Sequence, residues 1–99
     1  MNAFHTPEVE RFYRAILDLK TAEDCAAFFE DICTIKEMQD ISQRLEVAVM
    51  LHEGKNYQEI SALTGASTAT ISRVKKCLVY GSGGYRNALK CAEERGELK

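Results

Sequence analysis

Helix-start signals recur along the whole chain and constrain its fold more than any other feature of the sequence. The only proline among the 99 residues, Pro7, follows Thr6 at a position where a proline begins a helix without losing a hydrogen bond. Further capping residues precede apolar stretches at Thr21, Thr34, Asn56 and Ser67. No segment shows the period-two alternation that is typical of strands. The sequence therefore predicts an all-α protein.

The capping residues and glycines divide the chain into six predicted helices. We expect them from Pro7 to about Leu19, from Thr21 through Ile32, from Thr34 to near Gly54, from Asn56 to Gly65, from Ser67 to about Tyr80, and from Tyr85 to Glu94. Helical periodicity predicts apolar faces on the first three helices and the last, formed by Val9, Phe12, Tyr13, Ile16, Leu17, Cys25, Phe28, Phe29, Ile32, Met38, Ile41, Leu45, Ala48, Val49, Ala88, Leu89 and Ala92. The glycine-rich run 81–84 should interrupt the chain before the last helix.

The segment from Tyr57 to Leu78, YQEISALTGASTATISRVKKCL, has the spacing of two short helices that cross at a tight turn. Apolar residues expected in the core between them are Ile60, Leu63, Ile71 and Val74. Ser61 is small enough for a close helix crossing, and Gly65 suits the turn because glycine adopts positive φ without strain. The pattern predicts a helix-turn-helix, although ordinary helical hairpins also contain glycines.

The second helix of this segment leaves an exposed side of small polar and basic residues. The candidate DNA-binding residues are Ser67, Thr68, Ala69, Ser72, Arg73, Lys75 and Lys76. Short side chains near the helix start would let the helix approach base edges in the major groove, and Arg73 could reach a guanine. Lys75 and Lys76 are better placed for phosphates. The alternative is an exposed helix with incidental polar residues.

Charge is distributed unevenly along the chain, although its net value is only −2. Residues 1–54 are acidic in balance, whereas residues 55–90 carry six basic residues against Glu59 alone. A basic second half on an acidic chain suits a protein that presents one face to the phosphates of double-stranded DNA. A chance asymmetry of solvated helices would give the same distribution.

The N-terminal segment is rich in aromatic residues, namely Phe4, Phe12, Tyr13, Phe28 and Phe29. A monomer of this size would have difficulty covering them, and a two-fold dimer is the commonest way to bury such faces. We predict one domain over 1–99, with dimerisation helices mainly in 1–54, the helix-turn-helix in 55–80 and a C-terminal helix in 81–99. The alternative is that the aromatic residues only fill the core of a monomer.

Neither the cysteines nor the histidines form a recognisable chemical site. The cysteines lie in helical patterns without a C-x-x-C pair, and we expect free, mostly buried thiols at Cys25, Cys33, Cys77 and Cys91. His5 and His52 stand apart from any catalytic or metal-binding pattern, so we predict no enzyme, no metal and no cofactor. No signal-peptide pattern and no apolar stretch of about 20 residues occurs, so a cytoplasmic location without membrane association is expected.

Residues 34–78, and above all the run ATISR at 69–73 after Gly65, resemble the Trp repressor superfamily. The whole chain resembles the YerC/YecD-type branch of that superfamily, with the helix-turn-helix as the most specific part. The resemblance implies a six-helix, TrpR-like fold and an intertwined homodimer whose two helix-turn-helix units enter successive major grooves.

The resemblance also indicates a candidate effector pocket. The namesake of the superfamily binds tryptophan as corepressor, and Thr34, Arg44 and Arg73 match the threonine and two arginines that line its pocket. Val74 replaces a glycine beside the indole, and Cys77 replaces a serine near the ligand's amino group. A branched side chain narrows the slot and a thiol is a poor hydrogen-bond partner, which argues against tryptophan. The expected ligand is another small molecule, or none.

Together these features predict a sequence-specific DNA-binding transcriptional regulator, a repressor that acts as a homodimer on a palindromic operator. A small-molecule effector other than tryptophan is compatible with this function. The sequence leaves one alternative of a different class, a protein-interaction module in which the same hairpin docks on a transcription or signalling partner. The net acidity of the chain is the best support for that alternative.

Overall fold

The computed structural model describes residues 2–98, and the regular structure in this range is helical. The α-helices are α1 (Pro7–Leu17), α2 (Ala22–Ile32), α3 (Ile35–His52), α4 (Tyr57–Thr64), α5 (Thr68–Tyr80) and α6 (Gly84–Glu94). The prediction of six α-helices without strands is confirmed for the described residues, whereas a short 3-10 helix over Ala3–His5 was not predicted. Within the same range, no helix is both long and apolar enough to cross a membrane.

Side-chain caps begin α1 to α5 at the predicted residues. Each capping side chain accepts a hydrogen bond from the backbone N–H three residues later, at Thr6, Thr21, Thr34, Asn56 and Ser67. At the start of α2, the carboxylate of Asp24 accepts a hydrogen bond from the N–H of Lys20. Lys20 is the residue before the cap residue Thr21. The caps satisfy N–H groups that no helical carbonyl can reach, so local chemistry determines where the helices start.

One compact unit of the chain ends at Met38, and a second begins at Gln39, within α3. In the first unit, the rings of Phe12 on α1 and Phe28 on α2 stack with their centroids 6.0 Å apart. No side chain of α1 or α2 is buried, however, and Leu17 is 81% exposed. The first unit therefore has aromatic contacts between its helices but no closed core.

The second unit has a closed apolar core to which α3, α4, α5 and α6 all contribute. Its buried members are Val47, Ala48, Ile60, Ala66, Ile71, Val74 and Leu89. The expectation of buried Ile60, Ile71 and Val74 is confirmed. The expectation for Leu63 is wrong, because this side chain is 64% exposed and faces an open groove between α3 and α4.

Burial of the other apolar positions also departs from expectation. On α6, Leu89 and Ala92 are buried as predicted, but Ala88 is exposed. The cysteines are free, but they are not mostly buried, since Cys33 is partly exposed and the others are exposed. Burial therefore follows the predicted apolar pattern only in part. Among residues 2–98, no three His, Cys, Asp or Glu side chains are grouped as metal ligands would be.

Helix α3 is apolar on two sides, and the chain covers only one of them. Val47 is fully buried in the core of the second unit. The opposite side carries Met38, Ile41 and Leu45, whose exposed fractions lie between 41% and 49%. A helix that is apolar on both sides is normally buried on both. Within residues 2–98, this second apolar side of α3 is therefore only partly covered.

Candidate nucleic-acid interface and adjoining cavity

Helices α4 and α5 form a hairpin, which we call the helical hairpin (residues 57–80). Its turn contains Gly65, whose φ of +76° lies in the left-handed region that strains other residues. The N–H of Gly65 donates to the carbonyl of Ser61 at 2.8 Å and closes the end of α4. Ala66 is buried and anchors the turn in the core. The two helices and their turn glycine thus lie where the sequence pattern predicts them.

Thr64 connects the turn to its surroundings. Its hydroxyl donates to the carbonyl of Ile60 at 2.7 Å and accepts from the N–H of Ala66 at 3.1 Å. Its own carbonyl accepts a hydrogen bond of 3.0 Å from the side-chain amide of Gln43 on α3. Gln43 is not among the predicted site residues, because no local pattern shows that it reaches a turn 21 residues further along the chain.

The predicted DNA-binding residues lie mostly on one exposed side of α5. All seven predicted residues are exposed, and those within α5 are Thr68, Ala69, Ser72, Arg73, Lys75 and Lys76. At about 100° per residue, Ala69, Ser72 and Lys76 fall at the centre of this side. Arg73 and Lys75 fall toward its two opposite edges. Because α5 contains no acidic residue, the whole exposed side is positive or neutral.

Two of the predicted residues make contacts within the chain. The hydroxyl of Ser67 accepts from the N–H of Thr70 and donates to the Thr70 hydroxyl, both at 3.1 Å. Ser67 therefore serves as the N-cap of α5. The ammonium of Lys75 lies over the ring of Tyr57, the first residue of α4. Lys75 is therefore held toward one edge of the exposed side.

A cavity of about 120 Å³ adjoins the edge of this surface that contains Arg73. Its lining residues are Arg44, Thr70, Arg73, Val74, Cys77 and Tyr85. All of them except Thr70 and Tyr85 belong to the predicted effector-binding set, so the structure brings four of the five predicted residues together. The members on α5 follow the spacing i, i+3, i+4 and i+7 that places side chains on one side of a helix. Two guanidinium groups and no carboxylate line the cavity, so it suits an anion.

Thr34, the fifth predicted effector residue, belongs to the first compact unit and caps α3. Its hydroxyl accepts from the N–H of Glu37 at 3.1 Å, while the Glu37 carboxylate accepts from the N–H of Thr34 at 2.8 Å. These contacts, led by the backbone hydrogen bond, lower the pKa of the Glu37 carboxyl from its ordinary value. The reciprocal pair is a capping box, which explains a threonine at this position on structural grounds.

Helix α5 is capped at its C-terminal end by Gly81, whose backbone lies close to the carbonyl group of Cys77. The N–H of Gly81 donates to the carbonyl of Cys77 at 2.8 Å. A Cβ atom at Gly81 would lie 2.3 Å from that carbonyl oxygen, so no larger residue fits without backbone movement. The link that follows leads to α6 and places Tyr85 at the cavity. Helical spacing alone does not predict that Tyr85 lies at the cavity, because its position depends on this link.

Comparison with known proteins assigns the class. The six α-helices form an all-α, Trp repressor-like fold. The family described as "Trp repressor protein" matches residues 7–93 of the chain. The chain belongs to the Trp repressor family.

Individual relatives agree with this assignment. The chain is 54% identical over 87 residues to the uncharacterized protein YerC of Bacillus subtilis (strain 168). The aligned residues make up 88% of this chain and 84% of YerC. The crystal structure of a TrpR-like protein from Eubacterium eligens matches with a TM-score of 0.89 and 47% identity, covering 100% of this chain and 99% of that one. A candidate Trp repressor from Staphylococcus aureus matches with a TM-score of 0.87 and 40% identity, covering 94% and 96%. The chain is of the YerC type within the family.

Proposed function

We propose that the protein is a sequence-specific DNA-binding transcriptional regulator, a repressor that acts on a palindromic operator. The observation that carries this proposal is the exposed, acid-free side of α5 on a hairpin whose opposite side is buried. Membership of the Trp repressor family supports it. In this proposal the helical hairpin is a helix-turn-helix, and α5 is its recognition helix.

The side chains of α5 would have different roles in DNA recognition because they differ in length. Ala69 and Ser72 are short enough for α5 to approach base edges closely in the major groove. Arg73 is long and can form paired hydrogen bonds to a guanine. Lys75 and Lys76 would bind phosphates, which orient the protein without carrying sequence information. Affinity would then come mainly from the lysines, and sequence preference from the other residues.

We also propose that the acting form is a homodimer. The evidence is the apolar surface that one chain leaves open, since α1 and α2 bury no side chain. On α3, Ile41 and Leu45 are about half exposed, and Ile35 at its start is 80% exposed. A second copy that covers these helices would give two recognition helices related by a two-fold axis, as a palindromic operator requires.

A small anionic effector is the proposed occupant of the cavity beside Arg73. Arg44 and Arg73 could hold a carboxylate by charge-assisted hydrogen bonds, and Tyr85 and Thr70 add hydroxyl groups to the lining. The volume of about 120 Å³ is small, since ordinary ligand pockets start at roughly 300 Å³. The proposed ligand is therefore a small acid and not tryptophan.

Selection of bound fragments from random duplex DNA tests the proposed function directly. The expected result is a palindromic consensus whose half-sites lie one helical turn, roughly 34 Å, apart. Recovery of fragments without a shared sequence, by a protein that is folded, would refute sequence-specific recognition. A consensus without two-fold symmetry would refute the dimeric arrangement but retain DNA binding.

A protein-interaction module remains the second candidate function because the helical hairpin also carries exposed apolar residues. Leu63 is 64% exposed, Val79 48% and Tyr80 83%. The salt dependence of binding affinity distinguishes the two functions. Binding to DNA through several phosphates should weaken steeply between 50 and 200 mM salt, by roughly a thousandfold for six contacts. An apolar docking surface should bind its partner almost independently of salt.

A further inference from the structure

Gln43 makes a polar contact from α3 to the turn of the helical hairpin. Its Nε2 donates to the carbonyl of Thr64 at 3.0 Å. That carbonyl belongs to the last turn of α4, where carbonyls have no partner within the helix. A Cβ atom built at Gly65 would lie 3.9 Å from the same Nε2, so the amide also packs beside the turn glycine. Gln43 thus contacts the turn at the point where α4 gives way to α5.

The apolar contacts between α3 and the hairpin are of a different kind. Val47 packs with Ile60 and Ile71 in the apolar core, and apolar packing has no preferred direction. A hydrogen bond is directional, and it weakens steeply when donor and acceptor move out of line. The amide of Gln43 therefore adds an orientation-dependent contact to the apolar packing between α3 and the hairpin. Arg44, the next residue along α3, lines the cavity together with Arg73 of α5.

We propose that Gln43 is a positioning residue for DNA recognition: its amide fixes the turn of the hairpin on α3, and with it the angle at which α5 meets DNA. The inference rests on the proposed DNA-binding function. It assigns Gln43 no contact with DNA. Because base contacts depend on a close fit whereas phosphate contacts tolerate small shifts, loss of the amide should impair sequence preference more than general affinity.

Gln43→Met tests this role, because methionine has a similar length and no hydrogen-bond donor. Gln39→Met is the matched control, since Gln39 lies one helical turn earlier on α3 and lines the same open groove. Two quantities are measured for each folded variant. The first is hydrogen exchange of the Gly65 and Ala66 amides, which bond within the turn. The second is affinity for the selected operator and for a scrambled duplex of equal length.

For Gln43→Met we expect exchange of both amides to accelerate roughly three- to tenfold and operator affinity to fall by a similar factor, with less than twofold change on scrambled DNA. The control should resemble the unaltered protein in both measurements. Unchanged exchange and unchanged operator preference would overturn the role of Gln43. An equal loss on both duplexes would also overturn it, because that result indicates general destabilisation. If the unaltered protein itself has no sequence preference, the proposed function fails, and the role of Gln43 in recognition fails with it.

Discussion

The ammonium of Lys75 lies 5.8 Å from the centre of the Tyr57 ring, so a cation of α5 rests on the first residue of α4. Tyr57 is partly buried and packs against the core of the second unit. A cation over an aromatic ring is stabilised by about 0.5–1 kcal/mol at an exposed site. The contact therefore gives Lys75 a preferred position before DNA binds, and the position is set by a residue outside the recognition helix.

Tyr57→Leu should lower DNA affinity through Lys75 alone, because leucine preserves the apolar packing and removes the ring face. We expect a loss of at most about 1 kcal/mol on any duplex, because only the part of the contact energy that differs between free and bound protein changes the affinity. Lys75→Ala should lower affinity further and reduce the salt slope by about one. In the Lys75→Ala background, Tyr57→Leu should have no additional effect on titrations of a fluorescent duplex. Additive losses in the double variant would show that the two residues act independently.

Arg73→Ala should cost about 1–3 kcal/mol on the preferred operator, because its guanidinium is suited to paired hydrogen bonds with a guanine. Arg86→Ala is the charge-matched control, since Arg86 is exposed on α6, outside the recognition helix. The control should weaken operator and scrambled DNA equally. Electrophoretic or fluorescence titration with both duplexes provides the comparison. Full operator affinity in a folded Arg73→Ala protein would show that α5 is not the recognition helix.

Ile41→Glu should dissociate the proposed dimer, because it places a charge on the open apolar side of α3. Gln39→Glu is the control, since it adds the same charge to an exposed residue of the same helix on another side. Sedimentation at micromolar concentration should give a dimer for the unaltered protein and for the control. The Ile41→Glu variant should sediment as a monomer of 11.1 kDa. A monomeric unaltered protein would contradict the dimer and the palindromic operator together.

Local sequence chemistry was sufficient to predict the six α-helices. A cap such as Asn56 and a turn glycine such as Gly65 act within a few residues, so their patterns appear in the sequence itself. Periodicity also predicted which residues share a side of a helix. It could not predict which apolar side the chain covers. Leu45 and Ala48 share one apolar face of α3, yet only Ala48 is buried, because burial depends on the packing of separate helices.

The candidate site was predictable only as far as it lies on one helix or follows the family resemblance. Arg73 and Val74 are neighbours on α5, and their shared position at the cavity follows from helical spacing. Tyr85 joins them from α6 across the link that begins at Gly81, and no local pattern predicts that arrangement. Gln43 was missed for the same reason, because its partner lies in another helix.

Gly81→Ala should destabilise the fold, whereas Gly84→Ala should not. A Cβ at position 81 would meet the Cys77 carbonyl oxygen at 2.3 Å, and relief of such a clash costs about 1–3 kcal/mol. A Cβ at position 84 would have open space around it, and an alanine there should be neutral or stabilise by up to about 1 kcal/mol. Thermal and urea unfolding measure both effects. Equal stability of the two variants would refute the close approach at the end of α5.

Free tryptophan at millimolar concentration should neither raise the Tm nor tighten DNA binding. Val74 lines the cavity and is only 2% exposed, so its branched side chain is fixed in the core and cannot move aside for an indole. The cavity of about 120 Å³ is well below the roughly 300 Å³ at which ordinary ligand pockets start. Val74→Gly should enlarge it, at a cost of about 1 kcal/mol in helix propensity and more in lost packing. Val74→Ala is the milder companion variant.

Calorimetric titration decides the question, since a ligand stabilises a protein only by its affinity for the folded state. Saturable binding of tryptophan to the unaltered protein with a micromolar Kd would show that Val74 does not close the cavity.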